Sequence, residues 1–152
     1  MTSFSDEVLH LLQEAGWYRG RSVDTHRYAA AIRANKFPWQ EPAQRFLSEF
    51  GGLLLRFLRS DGSVTTLHFN VAQALASHAS SQVLNDCMTR LGAGGFTVIG
   101  QAYAEDLLLL MDAQGRVYGG GCDDCLYLIA NSGAEAIETI CLDLAFEVVA
   151  AA

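Results

Sequence analysis

The chain has 152 residues, 51% of them apolar and 18% charged, with a formal net charge of −7. This composition excludes a disordered chain and predicts a single domain, residues 1–152, able to bury a core without metals or disulfides. The acidic balance argues against nucleic acid or an anionic membrane as direct partner, because both need clustered Lys and Arg. A basic protein surface remains open as a partner.

The charge is unevenly placed. Arg19, Arg21, Arg27, Arg33, Lys36 and Arg45 lie early, whereas no basic residue follows Arg116. Asp123, Asp124, Glu135, Glu138, Asp143 and Glu147 occupy the C-terminal part. Such a region can steer a cationic partner, or simply provide a solvated acidic face. The N-terminus carries Asp6 and Glu7 and no basic n-region, so no secretory leader is expected. Four cysteines without such a leader predict free thiols in a reducing cytoplasm.

The first expected element is a helix with Phe4, Val8, Leu11, Leu12 and Ala15 on one face, capped by Ser3 or Ser5 and ended by Gly16. Trp17-Tyr18 follows, an aromatic pair expected to pack as a lid on the core rather than to bind a ligand. Asp24 is the expected N-cap of a second helix, with Val23 and Tyr28 as a hydrophobic staple and Tyr28, Ala31 and Ile32 as its apolar stripe. Pro42 suits the first turn of a third helix, whose buried stripe is Ala43, Phe46, Leu47 and Phe50 and whose end is Gly51-Gly52.

The pattern then becomes strand. Leu53–Arg59 and Val64–Phe69 flank Ser60-Asp61-Gly62-Ser63, a hairpin signal. Neither strand alternates cleanly, so the pattern leaves the register open. Asn70 can cap a short helix through Val71, Ala74 and Leu75, and a further helix places Val83, Leu84, Cys87, Met88 and Leu91 on one face.

Phe96–Gly100 reads as a strand and Gln101–Asp106 as its exit. Leu107–Met111 is an apolar run too short to span a membrane and bounded by turn residues, the pattern of a strand buried on both faces. Asp112–Gly115 is its turn and Arg116–Tyr118 the returning strand. Gly119-Gly120-Gly121 is expected as a flexible corner, and Leu126–Ile129 as a last strand. Ser132-Gly133-Ala134-Glu135 forms a capping box. It opens a C-terminal helix with Ile137, Ile140, Cys141, Leu144 and Val148 on one face.

Short turns between consecutive strands make them antiparallel, and the helices are grouped rather than alternating with strands. The expected class is α+β, a mainly antiparallel sheet of about five to six strands with helices packed on one side.

Cys122-Asp123-Asp124-Cys125 is the one motif with possible metal or redox chemistry. It lacks a second ligand pair, and its aspartates oppose thiolate formation. The four histidines are scattered, and the glycine clusters lack phosphate-loop context, so no catalytic residues are assigned. The acidic pairs carry more. In an up-and-down meander Glu105-Asp106 and Asp123-Asp124 fall at one sheet end, opposite Asp112–Gly115. Four carboxylates there could engage a basic protein surface or a divalent ion, the bland alternative being ordinary polar loops.

Four segments carry a family resemblance. Leu12–Arg21 resembles the L-x-x-A-G-W-x-x-G-R opening of the third subfamily of SUKH immunity proteins. Phe46–Leu53 is similar to the helix leading into that family's F-G-G-L. Val98-Ile99-Gly100 and Leu110–Gly119 resemble its P-I-G and D-x-x-G-R-V-Y-G segments, with Val98 in place of the proline. The similarity runs in order from Leu9 to Ala145. It implies a SUKH-like α+β domain in the bacterial cytoplasm. Such a domain works without catalysis or cofactor, neutralising a cognate toxin of a polymorphic or contact-dependent system, commonly a nuclease or nucleic-acid deaminase. Glu105, Asp106, Asp123 and Asp124 are the expected contact residues. The alternatives are a zinc or thiol-redox protein using Cys122 and Cys125, and a general intracellular interaction scaffold.

Overall fold

A computed structural model describes residues 4–35, 37–78, 95–104, 106–121 and 125–151. The described helices are α1 (Asp6–Ala15), α2 (His26–Ala34), α3 (Glu41–Phe50), α4 (Val71–His78) and α5 (Gly133–Cys141). The strands are β1 (Leu54–Leu58), β2 (Val64–His68), β3 (Thr97–Ala102), β4 (Leu107–Met111), β5 (Val117–Gly121), β6 (Cys125–Ala130) and β7 (Glu147–Ala151). All seven form one sheet in the order β1-β2-β3-β4-β5-β6-β7, every neighbouring pair antiparallel. The expected helix around Val83–Leu91 lies outside the described residues.

Local chemistry accounts for the helix ends. The Ser5 hydroxyl accepts from the Val8 N–H at 3.4 Å, and Gly16 closes α1 at φ +107°. Ser132 caps α5 by accepting from the Glu135 N–H at 3.2 Å, as its capping box requires. The buried stripe of α3 is Ala43, Phe46, Leu47 and Phe50, as its spacing predicts. For α2 the outcome differs. Thr25, not Asp24, occupies the N-cap position, and Ala29 and Ile32 are the buried residues. Asp24 still satisfies a helix-end donor, accepting from the His26 N–H at 2.9 Å.

Three further expectations are corrected. The sheet has seven strands rather than five to six. The C-terminal helix stops at Cys141 instead of continuing through Val148, because the chain turns through Leu142–Phe146 and Glu147–Ala151 joins β6 as an edge strand. Leu144 and Val148, expected on the helix's buried face, are exposed. Gly119-Gly120-Gly121 is strand, not corner. It pairs with Leu109-Leu108-Leu107 on one side, and Gly119 and Gly120 face Tyr127 and Leu126 on the other. A Cβ on Gly119 would lie 2.9 Å from both Leu107 Cδ1 and Ile129 Cδ1, so its missing side chain is filled by its neighbours.

Every residue of β3 and β4 is buried. Successive strand side chains point to opposite faces, so both faces of the sheet centre are covered. β3 also runs two residues past Gly100, through Gln101 and Ala102, which pair with β2 and β4. Within this centre the Asn70 N–H donates to His68 Nδ1 at 3.0 Å. The proton is therefore on Nε2, which donates to Gln101 Oε1 at 2.8 Å.

The segments that carry the family resemblance interlock. The Arg21 guanidinium donates to the carbonyl oxygens of Glu49 at 2.6 Å and Gly51 at 2.9 Å. A cation there satisfies carbonyls at the C-terminus of α3 and opposes its dipole. Trp17 stacks on Phe50, with centroids 6.1 Å apart and planes 7° from parallel, and donates to Glu49 at 3.2 Å. At the β4–β5 turn, buried Asp112 accepts from the N–H groups of Gln114 and Arg116, both at 2.9 Å, and from Arg116 Nε at 2.7 Å. Gly115 supplies the positive φ, +85°.

Candidate partner-binding surface

The meander decides which connections meet. Ala102 pairs with Leu107, Leu107 with Gly121, and Gly120 with Leu126. Asp106, at the end of the β3–β4 connection, therefore shares a sheet end with Gly121 and Cys125, the described residues that bound Cys122-Asp123-Asp124. The β1–β2 turn lies at this end too, because Leu67 of β2 pairs with Ala102. Asp112–Gly115 lies at the opposite end. Of the four predicted contact residues Asp106 is described, and it is exposed. Glu105, Asp123 and Asp124 lie outside the described residues, as does Cys122, while Cys125 begins β6. Among the described residues no group of three or more His, Cys, Asp or Glu could hold a metal ion.

Around Asp106 the fold builds an ordered polar and aromatic cluster. Asp61 braces the β1–β2 turn by accepting from the Ser63 N–H at 2.9 Å and its hydroxyl at 2.6 Å. The Arg59 guanidinium sits 4.3 Å from the centroid of the Tyr103 ring, in cation–π geometry. Arg59 also reaches Asp143 at 3.5 Å. Asp143 accepts from the Ser60 N–H and the Ser60 hydroxyl, both at 2.9 Å, which ties the segment after α5 to the first hairpin. These hydrogen bonds, the backbone donor first, hold the Asp143 carboxyl below its ordinary range.

Tyr103 is the centre of the cluster. Its ring meets Phe57 edge-on at 6.0 Å and Phe146 at 6.2 Å, and Phe146 meets Tyr127 at 6.0 Å. Burial pushes the Tyr103 phenol up to about 12, with the Asp143 charge adding to the effect. Tyr103 and Ala104 both hold left-handed backbone, at φ +54° and +59°, and Asp143 does so at +52°. That conformation is costly for residues with a Cβ and is retained where the surroundings enforce it. Here the ring contacts and the Ser60 bonds do so. Arg59 and Tyr103 were not singled out from sequence, where Ser60 stood only as a turn residue and Asp143 only as one of the C-terminal acids. The only local signal was the Asp61-Gly62 turn, and the pairing of Ser60 with Asp143 spans too much chain for any pattern to show.

Cys141 lies in the core, as its helix face predicts, and burial raises its thiol to about 12. A thiol so placed is a small packing residue rather than a nucleophile.

The fold is an α+β domain, a seven-stranded antiparallel sheet with helices, braced by the segments described above. The model of the SUKH-3 immunity protein family matches residues 4–143, nearly the whole chain. The chain belongs to the SUKH-3 immunity protein family. Comparison with curated proteins and with solved structures found no match. No helix among the described residues is long and apolar enough to cross a membrane.

Proposed function

We propose that this protein is a non-enzymatic, cytoplasmic immunity protein that binds and neutralises a cognate bacterial toxin of a polymorphic or contact-dependent system. The toxin is a nuclease or nucleic-acid deaminase with a basic surface. The family match over residues 4–143 carries the reading. The net charge of −7 supports it, because an acidic inhibitor is steered toward a protein whose own target is a polyanion.

The contact surface in this reading is the sheet end bearing Asp106, with Glu105, Asp123 and Asp124 on the connections there. Arg59 and Tyr103 at the same sheet end are of the residue types that most often anchor interfaces. Binding by a held surface needs no reacting group and no cofactor.

The test is titration calorimetry with the toxin encoded beside this protein, at two salt concentrations. A tight complex weakened by salt is expected. Replacing Glu105, Asp106, Asp123 and Asp124 together by Lys should lower affinity while the far-UV spectrum stays unchanged. Wild-type affinity in that variant would remove this sheet end as the interface, and no complex at all would remove the toxin reading.

A further inference from the structure

β1 is the first strand of the sheet, so among the described residues one of its edges has no strand beside it. The hydrogen bonds define which groups lie on that edge. The Arg59 N–H donates to the Ser63 carbonyl at 2.8 Å, and the Phe69 N–H to the Leu53 carbonyl at 3.0 Å. Leu53 and Arg59 therefore turn their backbone groups toward β2, and by alternation Leu55 and Phe57 do the same. The N–H and C=O groups of Leu54, Arg56 and Leu58 point away from the sheet. Among the described residues none of those groups is bonded to another element.

The side chains of the same residues form an exposed face. Leu54 is 47% exposed and Leu58 64%, and Val64, paired with Leu58, is 65% exposed. Arg56 stands between the two leucines, exposed and with no ion pair among the described residues. Edge strands are blunted by short length, charged side chains, proline, a bulge or a covering helix or loop, and Arg56 is the single charge on this strand. This one carries large apolar side chains on either side of a single cation.

That cation selects the occupant. In the two-fold antiparallel pairing of two copies that sets Leu54 against Leu58, Arg56 would face Arg56, and directly opposed like charges destabilise a strand pair. A strand with a carboxylate at the same position, flanked at alternate residues by apolar side chains, meets Arg56 with opposite charge and covers both leucines. We propose that β1 is a docking edge for an extended segment of a partner protein, added antiparallel, whose sequence places one acidic residue between two apolar ones at alternate positions. This edge is distinct from the acidic contact surface and does not depend on the toxin reading.

The experiment is an NMR titration of the 15N-labelled full chain with two capped synthetic heptapeptides, Thr-Val-Thr-Glu-Thr-Val-Thr and the same peptide with Lys in place of Glu. The Glu peptide should shift the amide resonances of Leu54, Arg56 and Leu58, and bind about fivefold tighter than the Lys peptide, the size expected when an exposed ion pair becomes a repulsion. Arg56→Glu should reverse that order. Arg56→Pro should abolish binding of both peptides, because it removes an outward N–H and leaves the β2 ladder intact. Should Arg56→Pro fail to fold, the charge reversal by Arg56→Glu decides alone. Equal affinity for the two peptides, shifts confined to other elements, no shift at millimolar peptide, or a wild-type dimer that forms through β1 would each overturn the proposal.

Discussion

Two leucine-rich strands of the same chain have opposite fates. β4 reads Leu107-Leu108-Leu109-Leu110-Met111 and every residue is buried. β1 reads Leu54-Leu55-Arg56-Phe57-Leu58 and alternates, with only Leu55 and Phe57 buried. Composition does not separate them, since four of five residues in β1 are large and apolar too. Coverage of the faces does: both faces of β4, fourth of seven strands, are covered, whereas one face of β1, the edge strand, is exposed. The leucines of β4 hold the fold together, while those on the outward face of β1 add little to it and are free to meet something else.

The strongest way to break this comparison is Leu110→Ala, at a site with no exposure. A loss of about 2–5 kcal/mol in urea unfolding is expected, from lost transfer energy plus the cavity left behind. Next comes the glycine pair of β5. Gly119→Ala drives a methyl against Leu107 and Ile129 and should cost roughly 1–3 kcal/mol. A Cβ on Gly120 meets nothing within 4 Å, so Gly120→Ala should be neutral or slightly stabilising. Equal effects at the two positions would mean that the sheet faces here are packed alike.

The sheet end gives a smaller, pH-dependent effect. The Ser60 donors lower the folded-state pKa of Asp143 below its ordinary value of 3.8. Its contribution to stability is therefore complete above 3.8 and is lost as pH falls through the lower folded value. Asp143→Asn keeps the left-handed backbone accessible and should remove that part of the acid-side slope, at a cost on the order of 1 kcal/mol at neutral pH. Thermal melts of both proteins across the acid range measure it. Smallest of all, Leu58→Ala on the edge should change stability by less than about 0.5 kcal/mol. A loss comparable to that of Leu110→Ala would show that the edge is covered after all.

Much of the fold was legible because it is written locally. The α3 stripe repeats at helical spacing, Ser5 and Ser132 are caps, and Asp61-Gly62 and Asp112–Gly115 are turns whose side chains hold their own backbone. The β3–β6 meander followed from short connections, and with it the expectation that the acidic loops share a sheet end. The failures have a common cause. Gly119–Gly121 looks like a corner in isolation, yet it is strand because β4 and β6 supply its hydrogen bonds and Leu107 and Ile129 fill its missing side chains. Val148 fits a helical face, yet β6 offered its edge and took the segment as β7.

By itself, then, the sequence determined most of the element types, the caps and turns, the acidic character and the family motifs. These depend on periodicity, on a few residues around each turn and on summed charge. Only the tertiary structure decided which apolar strands are buried on both faces, where Arg21 and Asp143 find their partners, and that Leu54, Arg56 and Leu58 face outward. Burial and pairing are properties of a neighbour, and the chain supplies that neighbour from far away in sequence or, at the edge of β1, not among its described residues.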